Sequence, residues 1–394
     1  MSPVRALIIL TSIQIATAFS ATSVLAISPL LASNLQISSK WIGVYTALLY
    51  AAAAWSSIYF GNRVHKMGSF QVSRICLSLC ALAMLLIGTS NSAAVLAGSI
   101  LMGLGYGGIT PASSYFLSQS TSLKNRSLLF SIRQSGVPAG AALAAVTVPY
   151  MAEHFGILSA FSIPGILALV AAICFRAKSV TDTNVPSGPV ELEKKRLWSR
   201  FSENPQLRVL AIVAFIFSGL QITMTAMLVP FLHAFEHMTV DEAAKLLTIF
   251  NVVGVAFRLI WGRCVDRGSS AIQMLGFSGL LGSIGFAVMA WAAFADIPSV
   301  MLFVAAGILG MAVIAWNGVL FSEIAAIVPK NKVGQATGLC VFSGFIGVVV
   351  MPTILTQSIE NETTSGLVFV FGAALSAAVS ILMLSRCKTY PIDK

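Results

Sequence analysis

Charged residues are scarce in this chain of 394 residues. Only 10% are Asp, Glu, Lys or Arg, whereas 57% are hydrophobic and the mean hydropathy is +0.88. A soluble domain of this length would leave too much apolar surface in contact with water. The scarcity of charge therefore excludes a soluble domain and indicates a membrane protein.

Acidic residues are the rarer of the charged residues, with 14 Asp and Glu against 24 Lys and Arg. A net charge of +10 can indicate nucleic-acid binding. Here, however, the basic residues lie in short loops beside apolar segments and do not form a stripe interleaved with aromatic residues. We expect no nucleic-acid partner.

The chain also lacks the residue patterns of an enzyme or a metalloprotein. Cys76 and Cys80 are one helical turn apart, but no histidine or carboxylate pattern completes a metal site, and the six cysteines suggest no disulfide framework. The glycines of residues 103–108 lie in an apolar segment without the Lys-Ser/Thr of a phosphate loop, so we expect them to serve helix packing. We expect no enzymatic activity, metal or cofactor, and transport would draw its energy from gradients.

Apolar segments, by contrast, fill most of the sequence. Each is about 20 residues or longer, which suits a tilted helix crossing roughly 30 Å of hydrocarbon. Twelve are predicted, at residues 6–31, 41–60, 71–88, 93–117, 128–151, 157–175, 209–234, 243–261, 271–294, 298–328, 334–358 and 365–385.

The basic residues alternate along these segments and predict the orientation of the chain. All of the 24 except Lys40 and Lys245 lie before the first segment or around the ends that follow every second one. Because basic residues stay on the cytoplasmic side during insertion, we expect both termini there. The expected location is the bacterial inner (plasma) membrane, with the first apolar segment kept as a helix and not removed as a secretory signal.

The order of landmarks predicts two related halves. We expect membrane units at residues 1–175 and 209–385, a cytoplasmic linker at 176–208 and a cytoplasmic tail at 386–394. Residues 61–68 (GNRVHKMG) and 262–268 (GRCVDRG) follow the second and eighth segments, and Lys-Asn-Arg at 124–126 and Lys-Asn-Lys at 330–332 precede the fifth and eleventh. Such an echo is typical of a duplicated six-helix unit.

These loops resemble the mark of the major facilitator superfamily, Gly-x-x-x-Asp-Arg-x-Gly after helix two, with a weaker copy after helix eight. The first copy has His65 and Lys66 where the family has Asp and Arg, and the second keeps Asp266 and Arg267. Residues 106–114 and 131–140 also resemble bacterial members that handle small organic or inorganic anions, such as the cyanate, monocarboxylate and oxalate branches. The resemblance implies an all-α fold of twelve transmembrane helices in two pseudo-symmetric six-helix bundles, and secondary transport.

The same loops are candidates for a gate. Glycine fits where backbones crowd, and an acid there can cap a neighbouring helix or pair with an arginine across the bundle. The alternative is that these are solvated loop charges that only fix the topology. The candidate gating residues are Gly61, His65, Lys66, Gly68, Gly262, Arg263, Asp266, Arg267 and Glu323.

Two arginines inside apolar segments are the first candidates for substrate binding. A charge at mid-membrane costs at least about 2.5 to 3.5 kcal/mol, so each requires an explanation. Arg133 could offer its planar fork to a carboxylate, or it could reach the inner surface or pair with a neighbouring helix. Arg258 resembles the helix-eight arginine of monocarboxylate and oxalate carriers, although Gly254 stands where monocarboxylate carriers have Asp.

Neutral polar residues in the segments complete the predicted pocket. Each could instead form a helix–helix hydrogen bond. We favour Asn251 and Asn317, since their surroundings are mostly apolar. The other candidates are Gln134, Trp316, Gln14, Gln221, Tyr45 and Tyr115.

The sequence thus predicts a monomeric secondary transporter, lying in the lipid bilayer, for a small anionic substrate. Coupling by exchange of anions and coupling by a proton both stay open. The alternatives are efflux of hydrophobic drugs and a membrane sensor with a transporter-like fold. The lack of buried acids within most segments argues against cationic drugs, which need a carboxylate to pair with.

Overall fold

The computed structural model describes residues 3–38, 41–120, 125–174, 204–234, 238–356 and 362–387. This part of the chain is helical and contains no strand. Lys40, Lys124 and most of the predicted linker lie outside the described residues. The helices are α1 (Pro3–Ala26), α2 (Ser28–Asn34), α3 (Trp41–Met67), α4 (Ser69–Gly88), α5 (Ser92–Ser120), α6 (Arg126–Gln134), α7 (Gly136–Cys174), α8 (Pro205–Ala234), α9 (Val240–Asp266), α10 (Ala271–Ala292), α11 (Ser299–Val313), α12 (Trp316–Ile327), α13 (Val333–Thr356) and α14 (Glu362–Cys387).

The helices confirm twelve membrane spans. In the described residues, eleven helical stretches are long and apolar enough to cross a bilayer, but one of them, Arg126–Cys174, has 49 residues. A straight helix of that length would measure about 73 Å, more than twice the hydrocarbon thickness. Gly156 interrupts it with φ 81° and ψ 167°, and this break separates the predicted fifth and sixth spans.

Three predicted spans are not single helices, contrary to the sequence analysis. The first is divided at Ile27, because Pro29 has no N–H for the Leu25 carbonyl, which accepts from the Ser28 hydroxyl instead. The fifth is divided between α6 and α7, and the tenth between α11 and α12. The last two breaks lie at the candidate site.

The buried hydrophobic side chains form two clusters. One lies within residues 3–174 and includes Tyr45, Cys76 and Phe161. The other is built mainly from residues 204–387 and includes Phe217 and Phe250. Each sequence half therefore carries a core of its own.

Glycine allows the helices of the first core to approach closely. A Cβ atom at Gly107 on α5 would collide with the backbone of Ala53 on α3, and one at Gly103 would collide with the Leu49 carbonyl oxygen. The glycine-rich stretch of residues 103–108 therefore serves helix packing, as predicted.

The two halves meet closely at one end of the bundle, where α3 and α9 end and α6 and α13 begin. We call this the basic end. A Cβ at Gly61 would lie 2.7 Å from the carbonyl oxygen of Gly334, and the Gln119 side chain donates to the Lys330 carbonyl at 3.1 Å. The halves are thus in direct contact at this end.

Candidate substrate site and gate

Arg133 lies in the last turn of α6 and is completely buried. Its Nη1 donates to Gln14 Oε1 on α1 at 3.0 Å and to Ser113 Oγ on α5 at 2.6 Å. Its Nη2 donates to Gln134 Oε1 at 2.5 Å. All three acceptors are neutral and belong to the first half of the chain.

Arg258 lies on α9 and is only 2% exposed. Its Nε and Nη2 donate to the carbonyl oxygen of Ile314 at 3.2 and 2.7 Å, and its Nη1 donates to the carbonyl oxygen of Gln134 at 2.8 Å. Arg258 therefore joins the two halves through backbone oxygens.

The helix breaks explain why these carbonyls are available. Pro138 has no N–H to donate to the carbonyl four residues earlier, which is that of Gln134. The Ile314 carbonyl lies in the break between α11 and α12. Gln134 consequently contacts both arginines, one through its side chain and the other through its main chain.

In the described part of the chain, the two guanidinium charges have no acidic neighbour. Within the described residues, neither Arg133 nor Arg258 forms an ion pair with a carboxylate, and their acceptors are amide, hydroxyl and carbonyl oxygens. Hydrogen bonds to neutral acceptors offset part of the cost of burial but do not neutralise the charge. Within the described residues, both arginines therefore keep a buried positive charge.

Of the other predicted substrate residues, Gln14 and Gln134 contact Arg133 directly. Asn251 and Trp316 are instead bonded locally. The Asn251 amide donates to the carbonyl one turn earlier at 2.8 Å, and the Trp316 indole N–H donates to a carbonyl at the end of α11 at 3.0 Å.

The remaining candidates are spread over the bundle. Tyr45 and Tyr115 are buried in the first core. Gln221 and Asn317 are half-buried on α8 and α12. In the described part of the chain, no hydrogen bond joins these four side chains to either arginine.

Three aromatic residues that the sequence analysis did not select meet between the halves. The ring centroids of Tyr50 and Tyr106 lie 5.6 and 5.8 Å from that of Phe345, and 6.4 Å from each other. Tyr106 also lies two helical turns before Ser113 on the same face of α5, and Ser113 Oγ accepts from Arg133. Tyr106 begins the segment 106–114 that resembles anion carriers, so that segment could have indicated it; nothing comparable marks Tyr50.

At the basic end, Asp266 caps a helix of the other half. Its Oδ1 and Oδ2 accept hydrogen bonds from the backbone N–H groups of Ser127 and Leu128, both at 2.9 Å, at the start of α6. Arg263 and Arg126 interact with this carboxylate electrostatically. Of the two arrangements that the sequence allowed, the structure therefore contains the helix cap.

Gly262 permits this contact, since a Cβ there would lie 2.5 Å from Ser131 Oγ on α6. Gly68 has φ 82° in the turn that follows α3, a conformation that glycine adopts without strain. Arg267 is exposed and forms the C-cap of α9.

The corresponding contact between α3 and α13 is uncharged. Gln335 donates to Asn62 Oδ1 at 3.0 Å, and Ser57 Oγ donates to the Gly338 carbonyl at 3.0 Å. His65, at the position that Asp266 has in the second half, is half-buried, and its Nε2 is buried without a hydrogen-bond partner in the described residues.

Lys66 and Glu323 complete the predicted gating set. Lys66 interacts electrostatically with the neighbouring His65. Glu323, on α12, accepts a hydrogen bond at 2.9 Å from Gln206 and interacts electrostatically with Arg126. No hydrogen bond between Glu323 and Arg258 occurs in the described chain.

The sequence profile of the Major Facilitator Superfamily matches residues 10–352. The chain belongs to this superfamily. It is a multi-pass membrane transporter and not an enzyme.

Solved transporters with different cargoes share the fold of this chain. A proton:xylose symporter, XylE, bound to 6-bromo-6-deoxy-D-glucose, has a TM-score of 0.74 and 14% identity, covering 96% of this chain and 94% of its own. The human organic anion transporter MFSD10 (TETRAN) has a TM-score of 0.76 and 14% identity, covering 97% and 100%. A bacterial homologue of the iron transporter ferroportin, in an outward-facing state, has a TM-score of 0.78 and 13% identity, covering 96% and 99%.

No curated protein sequence matches the chain significantly. The solved neighbours therefore establish the fold of this superfamily member, while its cargo has to be inferred from its own residues.

Proposed function

We propose that the protein moves a small organic anion across the inner membrane by alternating access. The observation that carries this proposal is the pair of buried guanidinium groups, Arg133 and Arg258, that share Gln134 and have no acidic partner in the described residues. In a membrane interior such charges are retained when they serve a function. A carboxylate would neutralise one of them and form charge-assisted hydrogen bonds.

The moving parts in this proposal are two six-helix units, residues 1–175 and 209–385, joined by the linker 176–208 and followed by the tail 386–394. The protein acts as a monomer, and both termini and the basic end face the cytoplasm. The alternation of basic residues along the sequence supports this orientation.

The contacts at the basic end support a state that is closed towards the cytoplasm. Two contacts cross between the halves at the basic end, the Asp266 cap and the Gln335–Asn62 bond. A third, the Arg258–Gln134 bond, crosses between them at the candidate site. In the proposed cycle these contacts break as the opposite end closes, so the substrate site becomes accessible from alternate sides.

The chemistry of the site favours anions over hydrophobic cationic drugs. A lipophilic cation would approach two uncompensated positive charges, whereas an anion is attracted by them. The organic anion transporter among the structural neighbours agrees with this choice, but at 14% identity it supports the fold alone.

The test is ligand-induced thermal stabilisation of the purified protein by small carboxylates, inorganic anions, sugars and lipophilic cations. A ligand at 100 times its Kd stabilises the folded state by about 2.7 kcal/mol. We expect stabilisation by anions, and affinity reduced by roughly 10- to 150-fold in Arg133→Gln and Arg258→Gln, because each loses a charge-assisted bond. Uptake should be abolished in Arg133→Gln although the protein still folds and inserts.

Arg74→Gln provides the matched control, since Arg74 is exposed on α4. It should behave like the unmodified protein. Stabilisation by lipophilic cations, or unchanged anion binding in both site variants, would refute the proposed function.

A further inference from the structure

The aromatic cluster of Tyr50, Tyr106 and Phe345 lies where the two halves face each other near the middle of the bundle. Tyr50 is on α3, Tyr106 on α5 and Phe345 on α13, and all three rings are partly exposed. The two tyrosines pack against the first hydrophobic core and Phe345 packs against the second. The cluster is therefore a surface between the cores and not part of either one.

The rings are arranged as aromatic pairs that leave faces open. Both tyrosine rings are tilted against Phe345, by 42° and 44°, and the tyrosine rings meet edge to face at 82°. Aromatic rings attract a further ring when centroids lie about 4.5 to 7 Å apart in offset or edge-to-face geometry. The cluster can accept such a ring on its exposed faces.

The two tyrosine hydroxyls are unused. Neither Tyr50 nor Tyr106 donates a hydrogen bond within the described chain, and neither hydroxyl is among the buried atoms that lack a partner. The hydroxyls therefore reach accessible space. A ligand carboxylate there would accept from a phenol O–H, a short O–H···O⁻ bond.

The aromatic cluster lies close to the arginine pair along α5. Tyr106 is two helical turns, about 10 Å, before Ser113 on the same face of this helix, and Ser113 Oγ accepts a hydrogen bond from Arg133. In this conformation both arginines are buried whereas the three aromatic residues are partly exposed, so we expect an entering anion to meet the rings first. One side of the site is apolar and flat, and the other is positively charged.

Building on the proposed function, we propose that the transported anion is an arene carboxylate. Its ring packs against Tyr50, Tyr106 and Phe345, and its carboxylate accepts from the tyrosine hydroxyls within the field of the two guanidinium groups. An aliphatic carboxylate would gain the charge interactions without the ring contacts, and a sugar would gain the ring contacts without the charge interactions.

The test compares benzoate with cyclohexanecarboxylate, two monoanions of similar size that differ in ring aromaticity. Their Kd values would be measured by isothermal titration of the full-length protein in detergent, with acetate and glucose as further ligands. We expect benzoate to bind about two- to twelvefold more tightly than cyclohexanecarboxylate, the factor that an aromatic pair adds to area burial.

Phe345→Leu keeps an apolar side chain and leaves both tyrosine hydroxyls in place, so it should reduce the benzoate preference while cyclohexanecarboxylate still binds. Phe371→Leu is the matched control, because Phe371 is 47% exposed on the outside of α14, and it should keep the preference. Thermal unfolding of both variants verifies that they are folded.

Two results would overturn the inference while leaving the proposed function standing: equal binding of the two carboxylates, and a benzoate preference that is undiminished in Phe345→Leu. Binding of glucose with no binding of any carboxylate would overturn both the inference and the proposed function.

Discussion

Asp266→Ala removes the carboxylate that caps α6 from the other half of the chain. Two backbone N–H groups, those of Ser127 and Leu128, then lose acceptors at 2.9 Å. Losing a helix cap costs about 0.5 to 2 kcal/mol, and we use this range because Asp266 is only partly buried. The cap exists only while the basic end is closed. We therefore expect the equilibrium to shift about two- to thirtyfold towards opening of that end.

Hydrogen–deuterium exchange followed by mass spectrometry would measure this shift. The amides at the start of α6 should exchange faster in Asp266→Ala. Opening of the gate should also accelerate exchange at residues 333–336 at the start of α13, where Gly334 and Gln335 contact α3. Faster exchange confined to α6 would indicate only a local loss of the cap.

Asp241→Asn is the control for this measurement. Asp241 pairs with Lys245 at 2.6 Å, but both side chains are largely exposed, and such surface pairs contribute little. Its exchange pattern should match that of the unmodified protein. If Asp266→Ala gave the same pattern as this control, the argument that Asp266 holds the basic end closed would be wrong.

Two further substitutions test the arginine geometry and the helix packing. Arg258→Lys keeps the charge but cannot donate to the carbonyls of Gln134 and Ile314 at the same time. The anion affinity measured by titration should therefore fall at least about tenfold. Unchanged affinity would mean that charge alone matters. Gly107→Val places a branched side chain against the backbone of Ala53, and we expect about 1 to 3 kcal/mol of destabilisation, measured as a lower Tm and yield of folded protein.

The spans and the buried arginines could be predicted from the sequence because both depend on local composition. A run of apolar residues specifies a membrane helix by its length, and a charge within the run is conspicuous. The close packing of residues 103–108 was predictable for the same reason, since small residues permit close approach wherever two helices meet.

The helix breaks were less predictable. Pro138 marks the break after α6, but Pro149, Pro164 and Pro230 lie inside helical stretches that are not broken at the proline. In a membrane bundle, neighbouring groups can satisfy the carbonyl that a proline leaves free. Whether a helix breaks thus depends on distant donors such as Arg258, which local sequence does not reveal.

The aromatic cluster shows why the face of a helix is hard to predict. Tyr45 and Tyr115, which were predicted as site residues, lie on the same two helices that carry Tyr50 and Tyr106. At about 100° per residue, Tyr50 lies roughly 140° around α3 from Tyr45, and Tyr106 lies on the opposite side of α5 from Tyr115. Both helices are apolar all round, so hydropathy does not indicate which face meets the other half.

The bond between Arg258 and the Gln134 carbonyl links ligand binding to the movement of the halves. A ligand shifts a conformational equilibrium only by its difference in affinity for the two states. In the closed state, one N–H group of Arg258 donates a hydrogen bond to the opposite half. An anion that takes this donor weakens a contact between the halves, so it binds more favourably where that contact is already broken. We infer that the same guanidinium both attracts the anion and makes its binding favour opening at the basic end.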